Sequence, residues 1–175
     1  MVKPNNLRKV SIARLKQEMQ DTVFLSDDLA ITTIDYLRNP TSEIPVSLDG
    51  FAAMIMMSGS AVLSIDTETY EVRPNMLVFF RPGSIIRTIR CSSDATAYLV
   101  ACSKAFVSDI QVDISASLPI HMRFGRKPCL QVTERDVAEI RQFFQLIKTV
   151  IQSDKERYRK EIIHKIGRAS CRERV

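Results

Sequence analysis

Hydrophobic runs of strand length alternate with turn sequences between residues 50 and 101. The turns carry the dipeptides Ser58-Gly59, Asp66-Thr67, Pro74-Asn75, Pro82-Gly83 and Ser93-Asp94. Short runs rich in Val, Ile, Phe and Met with this punctuation are typical of antiparallel barrels and sandwiches. Parallel βαβ units are disfavoured because no helix-length pattern separates the runs. This part of the chain is therefore predicted to be mainly β.

A helical pattern replaces the strand pattern towards the C-terminal end of the chain. Thr133 with Asp136 forms a near capping box for a first helix, and Ser153 with Glu156 forms a capping box for a second. Apolar residues at alternating spacings of three and four mark one face of the first helix: Val137, Ile140, Phe144, Ile147 and Ile151. The pattern thus predicts two C-terminal helices.

The apolar stripe of the first helix is wider than a single seam, since Phe143, Leu146 and Val150 extend it. A stripe of this width can bury one flank on its own barrel and offer another to a partner. The alternative is a helix whose whole apolar stripe is buried within its own chain. The five residues of the regular repeat, from Val137 to Ile151, are the predicted dimerisation residues.

The sequence SGSAVLSIDTETYEVRPNMLVFFRPGSIIR, residues 58 to 87, resembles the cupin sensor half of AraC-type transcription regulators. The shared features are a hairpin from Ser64 to Tyr70 and the Pro82-Gly83 turn. Two positions depart from the family pattern: Asn75 replaces a glycine, and Ile86 falls where the family often has histidine. The resemblance covers roughly residues 22 to 165. It implies a cupin (jelly-roll, RmlC-like) barrel followed by two C-terminal α-helices.

The same resemblance implies a division of the chain into successive parts. We expect an arm with a short amphipathic helix over residues 1–21, a cupin barrel over 22–131, and a two-helix dimerisation or linker region over 132–165. In the arm, Ser11 can cap the helix, and Ile12 and Leu15 fall on one face with Met19. The arm either packs permanently on the barrel wall or, as in some members of the resembled family, folds over the barrel mouth and responds to ligand.

Residues 166–175, IGRASCRERV, read as the translation of a common sequencing adapter whose next triplet is a stop codon. We interpret this tail as non-native read-through, so that the natural C-terminal part is missing. In the resembled family that part is a DNA-binding domain with two helix-turn-helix units. Specific DNA binding is therefore not expected from this chain alone.

Composition narrows the class of protein. Hydrophobic residues make up 45% of the chain and charged residues 26%, which is typical of a globular domain. The formal net charge is +5, and residues 166–175 supply +2 of it through three arginines and one glutamate, so a nucleic-acid surface is not indicated. No apolar run of transmembrane length and no signal peptide is found, which predicts a cytoplasmic protein without membrane contact. The four cysteines lack paired spacing and are predicted to be free thiols.

Many cupins bind a divalent metal, and the resemblance places the four ligand positions at Val46, Leu48, Ala52 and Ile86. All four side chains are apolar, whereas Zn, Fe and Mn sites need imidazole or carboxylate ligands. The two histidines, His121 and His164, fall outside the predicted barrel strands. We therefore expect no metal and no cofactor. We also find no histidine and acid pair for a metal-free epimerase, so no catalytic residue is predicted.

A binding pocket inside the barrel is the remaining prediction. Side chains two residues apart on a strand share a face, and this parity selects the candidate ligand-binding residues Ala52, Met54, Met56, Ile86, Thr88, Arg90 and Tyr98. Arg90 would lie inside only if it met an anion or a partner, and otherwise sits in water at the strand end. Tyr98 would either add a hydroxyl group or pack.

The resemblance and the apolar barrel together predict the effector-sensing and dimerisation half of an AraC-type regulator. Its expected partners are a small-molecule effector, a second copy of the chain, and DNA only through the missing domain. The alternative is a stand-alone metal-free cupin, either a small-molecule binding protein or an isomerase-type enzyme.

Overall fold

The computed structural model describes residues 7–18, 22–35, 44–109, 127–153, 161–163 and 165. The described strands are β1 (Arg8–Val10), β2 (Val23–Leu25), β3 (Leu29–Asp35), β4 (Val46–Leu48), β5 (Phe51–Ser58), β6 (Ala61–Ile65), β7 (Glu68–Val72), β8 (Met76–Phe80), β9 (Ile85–Cys91), β10 (Thr96–Cys102) and β11 (Cys129–Gln131). The helices are α1 (Ile12–Glu18), α2 (Lys104–Asp109) and α3 (Glu134–Gln152), and residues 161–163 are also helical. The predicted mainly β architecture is confirmed.

The strands form two sheets. One has five strands in the order β1-β4-β9-β6-β7, and the other has six in the order β11-β8-β5-β10-β3-β2. Neighbouring strands are antiparallel except β1 and β4, which pair in parallel with Val10 beside Leu48. This parallel pair attaches the predicted arm to the five-stranded sheet.

The predicted turn residues adopt the backbone angles that a tight turn requires. Asn75 and Gly83 have positive φ values of 64° and 85°, as expected for the second corner of a turn after proline. Gly59 also has positive φ, and an added Cβ there would lie 2.6 Å from the Ala95 backbone. Only glycine fits that position, because the β5–β6 turn closely approaches the turn between β9 and β10.

Strand β9 contains a β-bulge that the sequence did not predict. Thr88 pairs with Leu63, but Arg90 pairs with Val62, so Ile89 has no partner of its own on β6. One extra residue reverses the inward and outward alternation of everything that follows it. The consequence for the site is described below.

Two hydrophobic clusters cover the two faces of the six-stranded sheet. The inner core lies between the sheets and takes residues from both, among them Met56, Leu63 and Val78. The outer core lies on the other face, where α2, α3 and residue 163 pack on β2, β3 and β10, with Leu25, Leu29, Ile31, Phe106, Phe144, Ile151 and Ile163 as its buried members. Among the described residues, no helix is both long and apolar enough to cross a membrane.

Helix α3 begins as the sequence predicts. The Asp136 backbone N–H donates to Thr133 Oγ1 at 3.2 Å, and the Thr133 N–H donates to Asp136 Oδ2 at 3.0 Å. This reciprocal pair satisfies two backbone donors that a helix leaves open at its start. Helix α3 ends at Gln152, and the hydroxyl group of its C-cap residue Ser153 donates to the Val150 carbonyl at 2.8 Å.

Candidate ligand-binding site

A cavity of about 260 Å³ lies between the two sheets. Its walls come from both sheets, from α1 and from the segment before β4, and the described lining residues are Val10, Leu15, Ile34, Ile44, Val46, Leu48, Ala52, Met54, Leu63, Phe80, Ile86, Thr88, Leu99 and Ala101. Ile44 is 41% exposed and is the most accessible of them, which places the opening of the cavity on its side. The cavity therefore extends from the inner core to the surface.

The four positions that the cupin resemblance assigns to metal ligands all line this cavity. Val46 and Leu48 come from β4, Ala52 from β5 and Ile86 from β9. Their aliphatic side chains carry no donor atom, so they do not fit a metal. Among the described residues, no three His, Cys, Asp or Glu side chains cluster in a way that could hold an ion. His121 and His164 lie outside the described residues.

The structure brings four of the seven predicted site residues to the cavity: Ala52, Met54, Ile86 and Thr88. Thr88 is the only polar residue among the described lining. No hydrogen bond to its hydroxyl group is found within the described part of the chain. The remaining three predicted residues, Met56, Arg90 and Tyr98, lie elsewhere.

Arg90 is exposed and does not line the cavity. The prediction extended the parity of Ile86 and Thr88 by two residues, but the bulge at Ile89 intervenes. Arg90 consequently points to solvent, and Cys91 packs against the inner core instead. Burial of an arginine without a partner would be costly, and the bulge avoids that cost.

Met56 and Tyr98 pack in the two hydrophobic cores and do not line the cavity. Met56 is fully buried in the inner core beside its cross-strand partner Ala97, away from the cavity wall. Tyr98 faces the outer core, where its ring stacks on Phe144 with centroids 4.3 Å apart and planes at 9°. The neighbouring residues Leu99 and Ala101 face the cavity in its place.

Several cavity residues were not found from the sequence. Leu99 and Ala101 carry a readable signal, because they alternate with Tyr98 on β10 and could have been chosen by the opposite parity. Leu15 was on the predicted apolar face of the arm helix, but the pattern did not show that this face lines a cavity. Val10 carries no signal, since it belongs to a three-residue parallel strand. The arm therefore forms part of the cavity wall.

The predicted dimerisation residues are largely turned towards their own barrel. Val137, Phe144 and Ile151 are buried, and Ile147 packs against the outer core, while Ile140 is half-buried. The other flank of the stripe is more accessible. Leu146 on that flank is 46% exposed, and Phe143 is half-buried.

A polar depression of about 560 Å³ lies beside the cavity, and Val10 and Leu48 line both. Lys104 Nζ donates to Asp49 Oδ1 at 2.6 Å across it, and this contact lowers the pKa of the Asp49 carboxyl group. The Asp49 backbone N–H in turn donates to the Val10 carbonyl at 2.8 Å. Backbone hydrogen bonds thus hold the arm to the barrel beside the cavity.

Two facing sheets with an internal cavity and C-terminal helices define a cupin-type barrel. A family profile described as the AraC-like ligand binding domain matches residues 42–164, which is 123 of the 175 residues. This chain belongs to that family. The match and the two-sheet architecture confirm the predicted fold class and the predicted family. A comparison with curated protein sequences returned no significant match.

Solved structures with a similar arrangement share little sequence with this chain. ToxT from Vibrio cholerae O395 is 10% identical, with a TM-score of 0.45 over 79% of this chain and 55% of the ToxT chain. A Cupin 2 conserved barrel domain protein from Salinispora arenicola is 16% identical, with a TM-score of 0.35 over 46% of this chain and 66% of its own. SPY1581 from Streptococcus pyogenes is 28% identical, with a TM-score of 0.38 over 59% and 96% of the two chains. This chain thus spans about half the length of ToxT.

Proposed function

We propose that this chain is the effector-sensing and dimerisation half of an AraC-type transcription regulator, acting in the cytoplasm. DNA binding would belong to a helix-turn-helix domain not contained in these 175 residues. The observation that supports the proposal is the apolar cavity, which lies inside a member of a ligand-binding family and takes part of its wall from the N-terminal arm.

The arm supplies a route from ligand to response. A ligand in the cavity touches Val10 and Leu15 as well as the barrel strands, so binding favours the state in which the arm is docked. A ligand shifts an equilibrium only through contacts that differ between its two states, and arm contacts satisfy that condition. Docking of the arm would then be sensed by the DNA-binding half.

Dimerisation is proposed through the accessible flank of α3 and not through the predicted repeat. Phe143 and Leu146 are the apolar side chains on that flank, whereas the buried members of the repeat hold α3 to its own sheet. Sedimentation of the protein at high concentration should show a dimer. Leu146→Glu should give a monomer, and Leu130→Glu, at a 38% exposed apolar position on β11, should leave the dimer intact. A wild-type monomer would remove the dimer from the proposal.

A regulatory role is favoured over catalysis by the chemistry of the cavity. General acid–base catalysis needs a titratable group within reach of the substrate, and the described lining offers only the hydroxyl group of Thr88. The competing assignment is a stand-alone metal-free cupin. Genomic sequence beyond codon 165 separates the two: helix-turn-helix patterns would support the regulator, and an immediate native stop codon would contradict it.

A further inference from the structure

We propose that the cavity binds a compact, uncharged and mainly apolar molecule with one hydrogen-bonding group directed at Thr88. The inference rests on the proposed sensor function and adds the chemical class of the effector. The inference is based on the apolar lining of the cavity, on the cavity volume, and on a Thr88 hydroxyl group that has no hydrogen-bond partner among the described residues.

The lining excludes charged and polyhydroxylated ligands. Among the described residues, thirteen of the fourteen that face the cavity are aliphatic, aromatic or methionine. A carboxylate or ammonium group would lose its water and meet no opposite charge there. A sugar would leave most of its hydroxyl groups without partners, and each unmade hydrogen bond opposes binding. An apolar molecule gains from the same transfer.

The volume sets the size of the molecule. An apolar cavity of about 150 Å³ in another protein takes up benzene. The cavity of about 260 Å³ has room for more than one ring of that size. A fused bicyclic compound or a short branched chain fits this range. Met54 helps such a fit, because its unbranched thioether side chain adapts to irregular shapes.

Thr88 supplies the one directional contact. It faces Leu63 across the β6–β9 pair, just before the bulge, and its side chain is half-buried. The described residues provide no hydrogen-bond partner for its hydroxyl group, which is therefore available to a ligand. A single hydroxyl group can accept from a ring N–H or donate to a carbonyl. Orientation of the ligand would depend on this contact.

Indole is a suitable probe because it is uncharged, bicyclic and carries one N–H donor. The protein contains no tryptophan, so indole fluorescence is free of a tryptophan background. We expect saturable binding of indole at one site per chain. Indole-3-acetate, which adds a charge, and D-glucose, tested by competition, should bind at least tenfold more weakly or not at all.

Two variants locate the site. Ala101→Phe fills the cavity and should weaken indole binding at least tenfold, whereas Ala53→Phe places the same ring on the opposite face of the neighbouring strand and should not. If Ala101→Phe does not fold, Thr88→Val keeps the shape and removes the hydroxyl group. It should weaken indole about three- to tenfold and leave 1-methylindole, which has no N–H, unchanged.

Three results would overturn the inference: no saturable binding of indole or 1-methylindole, tighter binding of indole-3-acetate or glucose, or equal effects of Ala101→Phe and Ala53→Phe in folded protein. None of these results bears on the regulator itself, which is tested separately by the gene sequence and by sedimentation. A native stop codon with intact indole binding would instead leave an apolar-ligand binding protein.

Discussion

The two faces of the six-stranded sheet are built from the same strands but packed differently. On the inner face, Ala52 and Ala101 are direct cross-strand partners, and a cavity opens beside them. On the outer face, Tyr98 stacks on Phe144 of α3. The size of the side chain at alternate positions thus decides which face leaves a cavity and which face holds the helix. Strand β10 serves both purposes because its side chains alternate.

Removal of the aromatic ring on the outer face should have the largest effect. Phe144→Ala deletes a side chain that is 3% exposed and stacked on Tyr98. We expect the free energy of unfolding to fall by about 3–5 kcal/mol, as for other buried aromatic truncations. Urea denaturation measures it. Gln145→Ala, at an exposed position on the same helix, is the control, with an expected change within about 0.5 kcal/mol. Similar losses for both variants would show that α3 is not held by this stack.

Enlarging an alanine distinguishes filled from unfilled parts of the inner face. Ala97 and Ala101 lie on the same face of β10 and are 0% and 1% exposed, but only Ala101 lines the cavity. Ala97→Leu should lower the free energy of unfolding by about 1–3 kcal/mol through overpacking. Ala101→Leu should cost clearly less, because its added carbons enter the cavity. Equal costs in thermal or urea unfolding would mean that the cavity closes in solution.

The start of α3 offers a smaller test of how firmly the outer face is covered. Thr133→Ala removes the capping hydroxyl group, and we expect a loss of about 1 kcal/mol in the free energy of unfolding. Thr133→Ser keeps the oxygen and should retain most of the stability. If Thr133→Ala has no effect, the packing of Phe144 and Ile151 holds the helix without its cap.

The smallest effect is a pH dependence from Cys102, which packs against the outer core. Burial raises the pKa of its thiol from 9.0 to about 11. The thiol of the unfolded chain therefore loses its proton at a lower pH than the thiol of the folded chain. Below pH 9 the thiol is protonated in both states and does not lower the free energy of unfolding. Between pH 9 and pH 11 the free energy of unfolding falls as pH rises. The contribution is up to about 1 kcal/mol near pH 10. Cys102→Ala should show a smaller fall over this interval than the wild type, and an identical fall would contradict a dry outer face.

Local features of the fold were predictable from the sequence. Positive φ at Asn75 and Gly83, the capping box at Thr133 and the succession of β-strands all follow from residues close together in the chain. The apolar side chains at the four positions that correspond to metal ligands in many cupins were also predictable. The boundaries assigned to the arm, barrel and helical region remain predictions, and residues 166–175 lie outside the described part.

The candidate site was predictable only in part, since a pocket depends on pairing between distant residues. Parity selected Ala52, Met54, Ile86 and Thr88, which line the cavity in the structure, but one unpaired residue at Ile89 turned Arg90 outwards.

The amino-acid sequence by itself determined the class of fold, the turns and the absence of metal-donating groups at the cupin positions, because backbone preference and side-chain chemistry are local properties. Only the tertiary structure decided that the arm forms one wall of the cavity. It also decided that Tyr98 packs against α3 and does not line the cavity, and which flank of α3 is accessible. A cavity is the volume that remains after all side chains have packed, and no single segment of the chain contains that information.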